Sequence, residues 1–188
     1  ANQLLDEAGW AMNESTGIRE KDGEPLNLLL TLESDYSATS MPTAEVIKSQ
    51  LAEVGIDVTI YGTEQMQWYA DYLEGKFDLT LWHSQFAFAS PHCWFTPMDS
   101  MVPQTPSLPG IEGSDEFLAT IKNLTNMVDE QEVRNTYTYL FNFDVGTVLD
   151  IPLTYQKDMI VYNTDKISGY TFTGTPYFFD ILSLEPAE

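Results

Sequence analysis

Between residues 26 and 82, strand-like and helix-like segments alternate in a regular order, and this alternation limits the folds open to the chain. Three short apolar segments have the length of strands, and the two segments between them carry apolar residues three or four positions apart. This order is typical of an α/β fold, with right-handed crossovers where the strands are parallel. The strands are predicted at residues 26–32, 56–60 and 77–82.

Residues that start or stop helices set the limits of the two helices between these strands. Ser40 suits the cap of the first helix and Pro42 its first turn, and a glycine follows its last apolar residue. Thr63 is placed to cap the second helix, which Gly75 ends. The sequence therefore predicts helices between residues 40 and 55 and between residues 63 and 75.

The rest of the chain predicts further helices and a β-rich end. A short helix is predicted over residues 2–8, and a helical hairpin at about residues 114–149. Within the hairpin, Asp129 and Glu132 have the spacing of a capping box, which starts a helix. The segments after the hairpin that are rich in strand-forming residues are 151–156, 159–163 and 170–173.

Charge and composition exclude several classes of function. Eight Lys and Arg against 29 Asp and Glu give the 188-residue chain a net charge of −21, which repels phosphate backbones, so we expect no nucleic-acid partner. One cysteine and two histidines cannot form a four-ligand zinc site of the Cys/His type. The longest apolar stretch, at residues 26–32, is far shorter than the ~20 residues that a membrane-spanning helix needs.

The sequence also lacks the common motifs of enzymes. None of H-E-x-x-H, G-x-S-x-G, G-x-x-x-x-G-K and G-x-G-x-x-G occurs. A nucleophilic pair of Cys93 with a histidine is disfavoured, because its neighbour His92 would mostly point elsewhere, so Cys93 is interpreted as a small buried residue. We therefore predict that the chain is not an enzyme and requires no cofactor.

Aromatic residues and both histidines gather in residues 82–95, after the third predicted strand. Open α/β sheets bind ligands beyond the carboxyl ends of their strands. Aromatic rings and imidazoles at that place can line a pocket for a planar organic ligand or a chelated metal ion. We therefore predict a ligand-facing loop at about residues 82–112. The predicted ligand-binding residues are His83, Gln85, Phe86, Phe88, His92 and Trp94, and the candidate metal ligands among them are His83 and His92.

Short motifs along nearly the whole chain occur in the same order in one known family. The first are at residues 4–10, 17–19, 22–26 and 47–58. The pattern continues at residues 75–78, at Ser90 and Pro91, at Arg134 and at residues 151–153. By these motifs the chain resembles the extracytoplasmic solute-binding proteins of family 5, which serve peptide and nickel ABC importers.

The resemblance implies that residues 1–188 form the carboxyl-terminal lobe of a two-lobed protein whose amino-terminal lobe is absent. It implies a mixed-sheet lobe of the periplasmic-binding-protein type II-like α/β fold. The two lobes of such a protein close on a small ligand, and the closed complex is delivered to the membrane permease of an ABC transporter. The expected location is extracytoplasmic, either periplasmic or lipid-anchored at the cell surface.

Single positions of this chain can be compared with the peptide-binding and nickel-binding members, and the comparison leaves alternative ligands open. Peptide-binding members commonly have, at the position of Ala87, an aspartate that pairs with the peptide's amino group. Nickel-binding members look closer around Pro91 and His92, but tend to have aromatic residues where Gln85 and Ala89 stand. We expect nickel or a nickel chelate as the transported ligand, with a di- or oligopeptide as the alternative. An acidic protein-interaction domain, which is a different class of function, stays open as a further alternative.

Overall fold

The structure is a computed structural model that describes residues 1–83, 91–99, 106–154, 160–171 and 181–187. Strands and α-helices are numbered separately along the chain. The first half contains α1 (Asn2–Glu7), β1 (Ala11–Met12), β2 (Arg19–Lys21), β3 (Glu24–Pro25), β4 (Asn27–Glu33), α2 (Ser40–Ala52), β5 (Asp57–Thr63), α3 (Gln65–Leu73) and β6 (Leu79–Leu81). The second half contains α4 (Pro91–Phe95), α5 (Ser114–Asn123), α6 (Glu130–Gly146), β7 (Ile167–Tyr170) and β8 (Leu184–Pro186).

A three-stranded parallel sheet with β4 at its centre organises the first half of the chain. Strand β4 pairs in parallel with β5 from Asn27 to Glu33, and with β6 from Leu30 to Leu32. The predicted order of strands and helices is confirmed, with β4, α2, β5, α3 and β6 following one another. The α/β class is therefore confirmed, and two small antiparallel sheets, β1–β2–β3 and β7–β8, accompany the parallel one.

The two faces of the parallel sheet differ in chemistry because neighbouring residues of a strand point to opposite sides. One face is apolar and packs Leu30, Leu32 and Val58 with Ala44 of α2. On the other face, the indole N–H of Trp68 in α3 donates to the Thr80 hydroxyl at 3.2 Å. Helices α2 and α3 therefore belong to opposite faces of the sheet.

The helices of residues 91–146 have a second apolar core of their own. The Phe117 ring of α5 stacks on the Phe143 ring of α6, with ring centroids 4.4 Å apart. The Asp129 carboxylate accepts from the backbone N–H of Glu132 at 2.8 Å, so the predicted cap of α6 is confirmed. The buried residues of this core are Phe95, Met98, Leu108, Phe117, Ile121, Leu124 and Leu140.

The small sheet β1–β2–β3 is held by one buried arginine. Arg19 is 3% exposed, and its guanidinium donates to the backbone carbonyls of Val54 at 2.8 Å and Trp10 at 2.6 Å. It also forms an ion pair with Asp6 of α1. One side chain therefore fixes α1 and β2 against the turn between α2 and β5.

Three local expectations are wrong. Ser40 is the first residue of α2 and does not cap it; Thr39 precedes the helix without a capping hydrogen bond from its side chain. Thr63 is the last residue of β5 and does not cap α3, because the next residue, Glu64, accepts from the backbone N–H groups of Met66 and Gln67. Of the β-rich segments, the described residues 151–154 and 160–163 contain no strand. The strand that does form, β7, begins at Ile167 and pairs with β8, near the end of the chain.

Within the described residues, every helix is too short or too polar to cross a membrane.

Candidate functional site

The carboxyl ends of the three parallel strands lie on one edge of the sheet, called here the carboxyl edge. Strand β4 ends at Glu33, β5 at Thr63 and β6 at Leu81. The segment after β4 carries Tyr36, and the residues after β6 are Trp82 and His83. Because the strands are parallel, these residues collect at the edge where open α/β sheets bind ligands.

At this edge, Tyr36 and His83 form a stacked pair. Their ring centroids are 3.8 Å apart and the ring planes differ by 18°. The Nε2 atom of His83 is buried and has no hydrogen-bond partner among the described residues. Burial also lowers the pKa of His83, which favours the neutral imidazole, the form that coordinates metal ions. The pair therefore holds a neutral imidazole with one unused ring nitrogen.

An aromatic cluster occupies the α3 side of the same edge. The Trp82 ring lies 5.1 Å from the Trp68 ring and 4.8 Å from the Tyr72 ring, measured between centroids. Trp82 nevertheless stays 40% exposed. The last residue of the central strand, Glu33, is only 7% exposed, and burial raises the pKa of its carboxyl group, with a smaller contribution from Asp35.

Two other predicted ligand-binding residues, His92 and Trp94, lie on α4. The indole N–H of Trp94 donates to the Asp144 carboxylate of α6 at 3.2 Å, and the ring packs against the helical core. His92 is half-buried, and its backbone carbonyl accepts from the Thr96 hydroxyl at 2.6 Å. The structure thus gives Trp94 a packing role between α4 and α6, while its contact with a ligand stays a prediction.

The carboxylate that anchors Trp94 belongs to an acidic pair. Asp144 is 4% exposed, and burial raises its pKa. Burial, the Asp144 charge and a hydrogen bond to Asp144 raise the pKa of Asp150 to about 6. Below about pH 6, Asp150 therefore holds a proton that it can donate to Asp144, the carboxylate that anchors Trp94 of α4.

The remaining predicted ligand-binding residues, Gln85, Phe86 and Phe88, lie outside the described residues. Among the described residues, no three His, Cys, Asp or Glu side chains are grouped so that they could hold a metal ion. The two candidate metal ligands, His83 and His92, are therefore not part of a complete protein metal site within that part of the chain.

A separate open groove lies between α5 and α6, with a volume of ≈ 480 Å³. Its lining includes Asp129 and Glu132, which together form the capped start of α6, and Glu116 of α5. Of the predicted ligand-binding residues that the structure describes, which are His83, His92 and Trp94, none lines this groove. We therefore assign it no role in solute binding.

Comparison with known proteins places the chain in a family. Residues 1–105 match the family described as bacterial extracellular solute-binding proteins, family 5 Middle. The nickel-binding periplasmic protein of Escherichia coli is 33% identical over 98 residues, which are 52% of this chain and 18% of that protein. The oligopeptide-binding protein OppA of Lactococcus lactis is 40% identical over 67 residues, which are 36% of this chain and 11% of that protein.

Among solved structures, NikA from Brucella suis in complex with Fe(III)-EDTA superposes with a TM-score of 0.87 and 27% identity. The superposition covers 98% of this chain and 37% of that one. The chain thus spans much less than the full length of its relatives, and its fold is that of the periplasmic-binding-protein type II-like proteins. Because residues 1–105 match this family and the fold agrees with it, the chain belongs to the bacterial extracellular solute-binding proteins of family 5.

Proposed function

We propose that the chain is the carboxyl-terminal lobe of a two-lobed solute-binding protein and contributes half of its ligand cleft. The observation that carries the proposal is the unused Nε2 of His83 at the carboxyl edge of a family 5 lobe. The other half of the cleft belongs to an amino-terminal lobe, and the closed complex is delivered to an ABC permease outside the cytoplasm. In this function the chain binds a solute and catalyses no reaction.

For the solute we propose nickel, bound as a chelate. The similarity to a nickel-binding periplasmic protein and to NikA supports a metal-containing solute. His83 supplies a neutral imidazole, which suits nickel, but one or two imidazoles fill only part of a nickel coordination sphere. A small chelator or the other lobe must supply the remaining ligands, so a chelate fits this lobe better than the bare ion.

A di- or oligopeptide is the alternative solute, and the similarity to OppA supports it. Ala87 disfavours a peptide, because its side chain cannot supply a carboxylate for the amino group of a peptide. A buried ammonium without a counter-charge is costly, so a peptide requires another acid at the cleft. The acidic protein-interaction domain is not favoured, because the family binds solutes.

Calorimetric titration of the full-length protein separates these solutes. The titrants are nickel chloride, nickel with L-histidine, and a library of short peptides. Heat from nickel with L-histidine, and at least about a tenfold loss of that affinity in His83→Gln, is the expected result. His92→Gln tests the second candidate ligand, and Gln50→Ala on the exposed side of α2 is the control. Heat from peptides alone would refute the nickel proposal.

A further inference from the structure

Glu33 is an acid with little exposed surface for which the described residues provide no partner. It ends the central strand β4 and is 7% exposed, yet within the described residues its carboxylate forms no ion pair and accepts no hydrogen bond. The other buried acids of that part of the chain do have partners: Asp71 pairs with Lys76 at 3.3 Å, and Asp144 accepts from Trp94 at 3.2 Å. Buried carboxylates are normally paired, because an isolated buried charge is unfavourable.

The strand register places Glu33 beside Trp82. Leu32 of β4 pairs with Leu81, the last residue of β6; Glu33 is the next residue of β4, and Trp82 directly follows β6. Two residues earlier, the Thr31 hydroxyl donates to the Thr80 hydroxyl at 3.0 Å on the α3 face. Because side chains alternate along a strand, Glu33 and Trp82 share that face at the carboxyl edge.

Trp82 adds an aromatic surface that is both held in place and open. Its ring packs against Trp68 and Tyr72 of α3, while 40% of the residue remains exposed. The face of an indole ring attracts cations, and this attraction adds to that of a nearby carboxylate. A carboxylate without a partner beside an exposed indole is an arrangement that suits a positively charged ligand.

We propose that Glu33 and Trp82 form a subsite for a positively charged group of the solute, either a metal ion or a protonated amine. This inference rests on the proposed function, since it requires that the carboxyl edge faces the ligand cleft. The Glu33 carboxylate supplies the counter-charge that Ala87 cannot supply. A bound cation would also offset the burial and the Asp35 charge that raise the pKa of Glu33.

The test compares Glu33→Gln with Asp35→Asn in the full-length protein. Both substitutions remove one carboxylate from the same edge, but Asp35 is exposed, so it controls for the general loss of negative charge. The calorimetric probes are nickel chloride, nickel with L-histidine, trialanine, and N-acetyl-trialanine, which lacks the protonated amine. The thermal midpoint of the unliganded protein is measured for each variant as a readout independent of binding.

For a cationic probe that binds the wild type, Glu33→Gln should weaken binding at least about tenfold and Asp35→Asn less than about threefold. If the subsite binds a metal ion, the loss appears with the nickel probes. If the subsite binds a protonated amine, the loss appears with trialanine but not with N-acetyl-trialanine. Without ligand, Glu33→Gln should leave the thermal midpoint unchanged or raise it, because it removes a charge that no described residue compensates.

Three results would overturn the subsite. If nickel or trialanine binds the wild type and Glu33→Gln equally well, solute binding stands and only the subsite fails. If Glu33→Gln lowers the thermal midpoint of the unliganded protein, its carboxylate has a structural partner and is not held for a ligand. If no cationic probe binds the wild type, both the subsite and the nickel and peptide proposals fail.

Discussion

The raised pKa of Asp150 beside Asp144 makes the stability of the chain depend on pH, and Asp150→Asn should remove that dependence. In the folded chain the pKa of Asp150 is about 6, because the residue is buried beside the Asp144 charge. In an unfolded chain an aspartate has a pKa of about 3.9. The folded state therefore binds more protons than the unfolded state between these two pH values.

The sign and size of the effect follow from this difference. Where the folded state binds more protons, its stability falls as pH rises, so the contribution of Asp150 is present below about pH 4 and lost as pH passes 6. A difference of about two pKa units corresponds to about 3 kcal/mol. In Asp150→Asn the amide can donate to Asp144 at every pH, as the protonated acid does. The free energy of unfolding of Asp150→Asn relative to wild type should therefore rise by about 2 kcal/mol between pH 4 and pH 7, since the full difference is reached only well below pH 4.

Urea unfolding of the 188-residue chain, followed by tryptophan fluorescence at several pH values from 4 to 7, measures this difference. Asp165→Asn is the control for the loss of one carboxylate, because Asp165 is an exposed aspartate outside the pair. A difference between Asp150→Asn and wild type that does not change with pH would refute the raised pKa of Asp150.

Two further stability predictions concern the first half of the chain. Arg19→Met should lower the free energy of unfolding by about 3 kcal/mol, because the carbonyls of Trp10 and Val54 lose a buried charged donor. Urea unfolding measures this loss of stability, and a loss below about 1 kcal/mol would contradict the prediction. Glu64→Ala should lower the free energy of unfolding by about 1 kcal/mol, because α3 loses its cap. Thr63→Val should be neutral or slightly stabilising, since the buried Thr63 hydroxyl has no hydrogen-bond partner in the described part of the chain. Thermal unfolding of both variants checks the pair, and the opposite order would restore Thr63 as the cap.

The central part of the fold could be predicted because its signals are local. The apolar runs of β4 and β5 and the glycine that follows α2 lie within a few residues of the elements they define. The cap of α3 was misassigned because Thr63 and Glu64 are neighbours and both have oxygen acceptors, so residue type alone does not separate them. The β-rich residues 160–163 form no strand, because strand formation depends on a pairing partner that residue type does not specify.

The candidate site was predicted in part. The position of His83 follows from the end of β6, which the alternation of strands already indicates. Tyr36 was missed, because its stacking on His83 joins residues 47 positions apart, and the sequence signal was only an aromatic residue shortly after β4. Glu33 was missed because a charged residue at the end of a strand predicts a solvent-exposed position, whereas Glu33 is only 7% exposed in the structure.

The proposed function requires that the carboxyl edge of the parallel sheet faces the solute. A crystal structure of the full-length protein grown with nickel and L-histidine, with anomalous data collected at the nickel edge, locates the metal directly. The expected result is a nickel peak within coordination distance of His83, with Tyr36 displaced from or packed beside the chelate. A peak bound only elsewhere, such as in the groove between α5 and α6, with His83 still covered by Tyr36, would contradict the account.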